Sequence, residues 1–250
     1  MDYKIINTFN FWYHINHNIM KLTQRNIEIL KIIIEEYIEN GWLIWSKMLL
    51  KKYDLWVSPA TVRWDMAKLE KLDLIYQPYN SAWRMPTSKW LRAFVDFLMW
   101  ETPSHFLKWD NVELKDKNIK TIEDYIHKIT HELAKNTQEI AFLGLPNKNI
   151  LIYNWVANFL RKNHKKMGEK IYPIIDMLED KHSFIKFINT HKMNLWVNIF
   201  IWEENIIPYL KDFSLILKPI QINWEIGYVW IIWTLQMNYS FNISAIKWII

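Results

Sequence analysis

Apolar residues return every three or four positions across residues 23–40, at Ile27, Leu30, Ile34, Tyr37 and Ile38. That spacing places them on one face of a helix. Thr23 suits its N-cap and Gly41 its stop. The link GWLIW leads to a shorter second helix, expected from Ser46 as its cap to about Tyr53. After the turn DLWV, Ser58 suits the cap and Pro59 the first position of a third helix that reaches about Leu72. Along it, Val62, Met66 and Leu69 face inward, leaving Ser58, Thr61, Arg63 and Lys68 to face outward. Residues 74–77 read as a strand, 79–83 as a tip and 84–87 as a returning strand, before a helix from Ser88 to Met99.

The remaining pattern divides the chain further. Residues 1–20 are rich in Asn and aromatics, have no clean period and read as an extension. Residues 100–120 are polar and mixed, as a linker would be. The spacing predicts a helix over 121–143, broken by GLPN at 144–147, then helices over 149–163 and 168–190, the last interrupted at Pro173. Its segment IIDMLEDKHSFIKFI is amphipathic, which suits a packing or dimer face. From Asn194 the pattern turns to strands, in LWVNIFIW, FSLILKPI and EIGYVWIIW. The expected division is 1–20, 21–99, 100–120 and 121–250, in an α+β chain.

A chain of 250 residues has room for two modest cores. The absence of Cys removes disulfides, thiolate metal sites and a thiol nucleophile. The first residues lack the pattern of a signal peptide, and the apolar runs stop short of the ~18 residues of a membrane span. A soluble, cytoplasmic protein without a membrane partner is therefore expected. The net charge is +5, and residues 46–92 alone carry nine Lys or Arg against four Asp or Glu. Such a local excess suits a polyanionic partner.

Tryptophan is abnormal. The chain has 16 Trp and only 4 Gly, whereas average usage of about 7% Gly would give roughly 17. Trp56, Trp83 and Trp90 stand where turns belong, in DLWVSP, NSAWRMPT and SKWL. A gene that uses UGA for Gly, translated with UGA read as Trp, produces this pattern. Many of these Trp are accordingly expected to be Gly in the natural protein.

Helix, turn, helix and basic hairpin, in that order, form the layout of a winged helix-turn-helix. Such a module sets one helix in the major groove of DNA and lays its wing on the backbone or minor groove. Arg and Thr on the third helix can read base edges, its N-terminus favours a phosphate, and Arg84 in the wing can reach the backbone. His127 and His131 lie four apart on a helix, a spacing able to hold a metal, but without a third ligand; His14 and His17 read as surface residues. Glu203 and Glu204 read as surface or capping groups. No catalytic constellation or phosphate loop stands out, so no enzyme, cofactor or metal is expected.

The run VSPATVRWDMAKLEKLDLIYQPYNSAWRMPTSKWLRAFVD resembles the N-terminal domain of HrcA, the heat-inducible transcription repressor family of bacteria. GWLIWS fits a family run as well, and IWEEN with the closing IIWTLQMNYSFNISAIKWII resembles the family's C-terminal part. Trp45, Trp56, Trp83, Trp90, Trp202, Trp230 and Trp233 fall on family glycines. Trp64 departs from a usual Asn, Asp73 from a usual Gly, and Tyr79 and Asn80 from His and Thr. The resemblance covers 23–99 closely, 195–250 in part, and the middle poorly. It implies a winged helix followed by a reduced GAF-like domain whose first strands and dimerising insert are shortened, and whose last helix stops early at Ile250. It further implies a repressor of chaperone genes that binds an inverted-repeat operator as a homodimer, with the chaperonin as co-regulator and heat as the relief. The residues expected at the DNA are Ser58, Thr61, Arg63 and Lys68 from the helix, and Ser81 and Arg84 from the wing. The alternative is a ligand-sensing or protein-interaction module in which the GAF-like half works and the winged helix is a docking surface. Steep salt dependence of DNA binding separates the two.

Overall fold

The computed structural model describes residues 22–40, 44–52, 56–78, 83–101, 121–180, 185, 196–205, 210–222, 224–247 and 249. The extension over 1–20, the tip residue Ser81 and the linker over 102–120 lie outside the described residues. The chain divides into two compact units, Met1–Glu101 and Thr102–Ile250.

In the first unit, α1 (Gln24–Asn40) begins at a reciprocal cap. The Asn26 N–H donates to Thr23 Oγ1 at 3.2 Å, and the Thr23 N–H donates to Asn26 Oδ1 at 3.0 Å. The expected single apolar face proves too narrow: Ile29, Ile32 and Ile33 are buried along with Ile27, Leu30, Ile34 and Tyr37. Helix α1 is thus the hub of the unit rather than a surface helix. Helix α2 (Ser46–Lys52) starts at its expected cap, one residue earlier than expected, because the Trp45 carbonyl accepts from the Leu49 N–H at 3.2 Å. Ser46 is the first helical residue, and it is buried.

Helix α3 (Pro59–Lys71) is capped by Ser58, whose side chain accepts from the Thr61 N–H at 3.1 Å. It ends in a Schellman motif: Leu74 N–H donates to Leu69 O, and Asp73 N–H to Glu70 O. Asp73 stands there at φ 57°. Aspartate, with a short polar side chain, tolerates the left-handed region better than most residues. Strands β1 (Ile75–Tyr76) and β2 (Met85–Pro86) pair antiparallel, and Ile44 bridges Arg84 beside them. Helix α4 (Ser88–Glu101) follows, with the Thr87 hydroxyl accepting from the Trp90 N–H. Ile27, Leu30, Ile33, Leu49, Val62, Met66, Leu69, Leu74 and Trp90 share one core.

The second unit is built on one antiparallel sheet of order β4-β3-β7-β6-β5. The expected helix over 121–143 stops early. Helix α5 (Ile122–Thr137) ends at Gln138 with φ 61°, and Ile140–Leu145 is strand β3, buried at all six positions. A short apolar run fits either element by period; pairing between two neighbouring strands and burial at every position make it a strand. The expected helix over 149–163 splits likewise into β4 (Ile150–Asn154) and α6 (Val156–Met167). Strands β3 and β4 pair as an antiparallel hairpin. A 3-10 turn, Gly168–Ile171, precedes α7 (Tyr172–Glu179), where Pro173 occupies the first turn and breaks nothing. Most of the expected helix beyond 180 lies outside the described residues. The three expected strands appear as β5 (Asn198–Ile201), β6 (Phe213–Ile222) and β7 (Glu225–Thr234), and α8 (Tyr239–Lys247) closes the unit.

Alternation sorts the sheet's side chains onto two faces. Phe142, Phe213, Leu215, Leu217, Trp230 and Ile232 pack with Phe159 of α6 and with Ile174 and Met177 of α7. The opposite face meets α5 and α8. There Asn154 Nδ2 donates to Thr130 Oγ1 at 2.8 Å, and Ser214 Oγ lies 2.5 Å from the Tyr239 hydroxyl. The sheet is covered on both sides.

Candidate nucleic-acid interface

The chemistry singled out by the sequence converges on α3 and the hairpin behind it. Burial of Val62, Met66 and Leu69 fixes which face of α3 is outward. Ser58 is exposed, its hydroxyl 3.0 Å from that of Thr61, which is half-buried. These two hydroxyls and the first N–H groups of a 13-residue helix share one end. Arg63 is exposed one turn on, its Nε donating to the Pro59 carbonyl at 3.2 Å. That bond draws the guanidinium back toward the first turn of the helix. Lys47, Lys51, Lys71 and Lys89 are also exposed in this unit.

Two expected contacts are placed differently. Lys68 does not face freely outward: it is half-buried and its Nζ donates to Asn26 Oδ1 at 3.0 Å, on α1. The position lies between the outward stripe and the buried stripe, and a long lysine stem reaches the nearer polar partner. Arg84 is engaged within the unit. Its backbone exchanges both hydrogen bonds with Ile44, and its side chain pairs with Glu70 of α3 at 3.1 Å. Arg84 thus ties the returning arm of the hairpin to α3. Ser81 lies outside the described residues.

The sequence reading missed the groups that hold α3 in place. Asp65 is buried on α3 and accepts from Arg25 Nε at 2.6 Å, Arg25 Nη2 at 3.4 Å and Asn26 Nδ2 at 2.6 Å. The Asp65 hydrogen bond, and then its charge, raise the Arg25 pKa above its ordinary value. Asn26 is fully buried, and its Oδ1 accepts from both Thr23 N–H and Lys68. The one legible signal was Asn26 three residues after Thr23, a reciprocal-cap spacing.

Several tryptophans line this region. Trp45 and Trp83 stack at 5.6 Å, while Trp56 stands 90% exposed before the Ser58 cap. Trp64 is exposed on α3 next to Arg63. In the second unit the His127 and His131 rings stack at 6.4 Å, and no group of three or more metal-capable side chains occurs among the described residues. No described helix is long and apolar enough to cross a membrane.

The class is a mixed α+β protein, with N-terminal helices and a C-terminal unit built on a β-sheet. A solved structure described as a hypothetical protein at 2.2 Å resolution shares this fold, with a TM-score of 0.73 over 91% of this chain and 96% of that one, at 19% identity. Residues 94–243 match the family model described as the HrcA protein C terminal domain. That is more than half of the chain, and the chain belongs to the HrcA family. The heat-inducible transcription repressor HrcA of Alkaliphilus metalliredigens is 38% identical over 122 residues, 47% of this chain and 36% of that protein. The protein of the same description from Thermomicrobium roseum is 46% identical over 83 residues, 33% of this chain and 24% of that one. The Clostridioides difficile protein is 34% identical over 138 residues, 53% of this chain and 40% of that one. The matched stretches span roughly a quarter to two fifths of these relatives.

Proposed function

We propose that this chain is a heat-inducible transcriptional repressor, a DNA-binding protein rather than an enzyme. In this reading the first unit is a winged helix-turn-helix with α3 as the groove-reading helix, and the second is a reduced GAF-like domain. The observation that carries it is the outward face of α3. A Ser58-capped N-terminus, Thr61 and Arg63 share one end of a helix whose other face is buried, in a member of a family whose named relatives are repressors. Arg63 supplies a fork for a guanine edge, Ser58 and Thr61 supply hydroxyls, and the helix N-terminus meets a phosphate. Ser81 and Arg84 belong to the wing, with Arg84 acting through its pairing to Glu70. A homodimer places two such helices on an inverted repeat in successive turns of the duplex, upstream of chaperone genes. The chaperonin acts as co-regulator, and heat relieves repression.

The test is selection of duplex DNA by the full chain from a random pool. The reading requires an inverted-repeat consensus. Binding to it should fall by on the order of 10³-fold between about 50 and 200 mM salt if about six phosphates are neutralised. Recovery of no consensus, with flat salt dependence, overturns it.

A further inference from the structure

We infer that Asp65, held by Arg25 and Asn26, is a positioning residue for sequence recognition: it sets the seat of α3 on α1 and so aims Ser58, Thr61 and Arg63. The inference rests on the DNA-binding reading above. Apolar contacts through Val62, Met66 and Leu69 hold α3 against the core, but such contacts are non-directional and allow a helix to slide or roll. The polar cluster is directional. The Asp65 carboxylate accepts from Arg25 Nε at 2.6 Å, from Arg25 Nη2 at 3.4 Å and from Asn26 Nδ2 at 2.6 Å. Lys68, one turn further along α3, donates to the same Asn26 at 3.0 Å. Two points on α3 are thereby pinned to two adjacent residues at the start of α1. That start is itself locked by the Thr23–Asn26 reciprocal cap.

The charges explain why the seat is unique. Asp65 is 7% exposed, and a buried carboxylate needs its partners. A roll of α3 that breaks the Arg25 fork strands the anion. Asn26, fully buried, has both ends of its amide satisfied only in this seat. Arg63 is two positions from Asp65, on the outward side, so a small roll moves its guanidinium along the groove. A shift of about an ångström is enough to lose a bidentate base contact while leaving general attraction to phosphate intact.

The experiment uses the full chain carrying Asp65→Asn, Arg25→Gln or both. Affinity is measured for the duplex selected from the random pool and for a scrambled duplex of the same composition, with amide hydrogen exchange recorded without DNA. Asp65→Asn is expected to weaken the selected duplex by tenfold or more while the scrambled duplex changes by less than about threefold. The double variant should be no weaker than Asp65→Asn alone, since both changes break one unit. Exchange should rise across residues 61–69 and stay unchanged in α4. If Asp65→Asn fails to fold, Arg25→Gln, at a partly exposed side chain, carries the same comparison, and Arg25→Lys should recover part of the loss. Equal loss on both duplexes, or additive losses, overturns the inference. Should the unaltered chain bind no DNA, the functional reading fails by itself, and unchanged exchange over 61–69 in Asp65→Asn then overturns the positioning role separately.

A second inference stands on the backbone. Among the described residues, six non-glycine positions have positive φ, and three of them are Trp155 (78°), Trp202 (54°) and Trp224 (68°). The left-handed region is rare for bulky side chains and ordinary for glycine. Trp224 is 93% exposed at the β6–β7 turn, and the buried Trp155 indole N–H has no acceptor. We propose that these three positions are glycine in the protein as its own cells make it. Peptide mass spectrometry of the protein from those cells should read glycine at 155, 202 and 224. Tryptophan there overturns the inference. In the written chain, Trp224→Gly should raise the melting midpoint by about 2–4 °C, and a fall counts against it.

Discussion

Ser58, Arg63 and Lys68 share the polar side of α3 by helical period, but they do three different things. Ser58 closes the start of α3, so Ser58→Ala should cost about 1 kcal/mol of stability, read as a shift in the denaturation midpoint of the full chain. Arg63 is exposed and, among the described residues, tethered only to its own helix, so Arg63→Ala should weaken the selected duplex much more than random DNA. Equal losses on both would make it a phosphate contact. Lys68 is tied to Asn26, so Lys68→Met should leave the salt slope of DNA binding nearly unchanged, where a phosphate contact would lower it by about one. Side-chain type and helical period made Ser58 and Arg63 legible. Lys68 and Arg84 were not, because their nearest acceptors, Asn26 and Glu70, lie on other turns or elements that only the fold brings close.

At the scale of elements, α5 and β3 meet at Gln138 and Glu139, and the carboxyl just past that joint is the most perturbed group described in the second unit. Glu139 is buried, and desolvation pushes its carboxyl up to about 8, against the opposing hydrogen bonds from Asn242 and the Asn238 backbone and the charge of Lys162. The native state therefore holds a proton that the unfolded chain releases at about 4.5. The stability this confers is whole below about 4.5 and is lost as pH rises through about 8. Glu139→Gln, which keeps an acceptor for Asn242, should match the unaltered chain near pH 4.5 and melt higher at pH 9. A gap that does not change with pH would rule this out. The same joint explains why a single helix was expected over 121–143: IAFLGL has no alternation to reveal a strand, because both faces of the sheet are covered.

At the scale of the molecule, the two units carry different shares of the reading. The first presents an outward helix with its hydroxyls and arginine at one end; the second is a sheet covered on both faces by helices. If the chain acts on an inverted repeat, two copies should bind one duplex, and halving the repeat should weaken binding well beyond twofold in a titration. What the sequence determined by itself is local: the caps at Thr23 and Ser58, the proline start of α3, the buried triplet Val62, Met66 and Leu69, and the three late strands. These follow from hydrogen bonds and periodicities that close within a few residues. What only the tertiary structure decided is non-local: the strand identity of β3 and β4, the burial of α1 on nearly every side, and the direction taken by Lys68 and Arg84. The Asp65 cluster belongs with these, since its partners Arg25 and Asn26 stand about forty residues away along the chain. A buried charge is satisfied by whatever the fold sets beside it, and no local pattern encodes that neighbour.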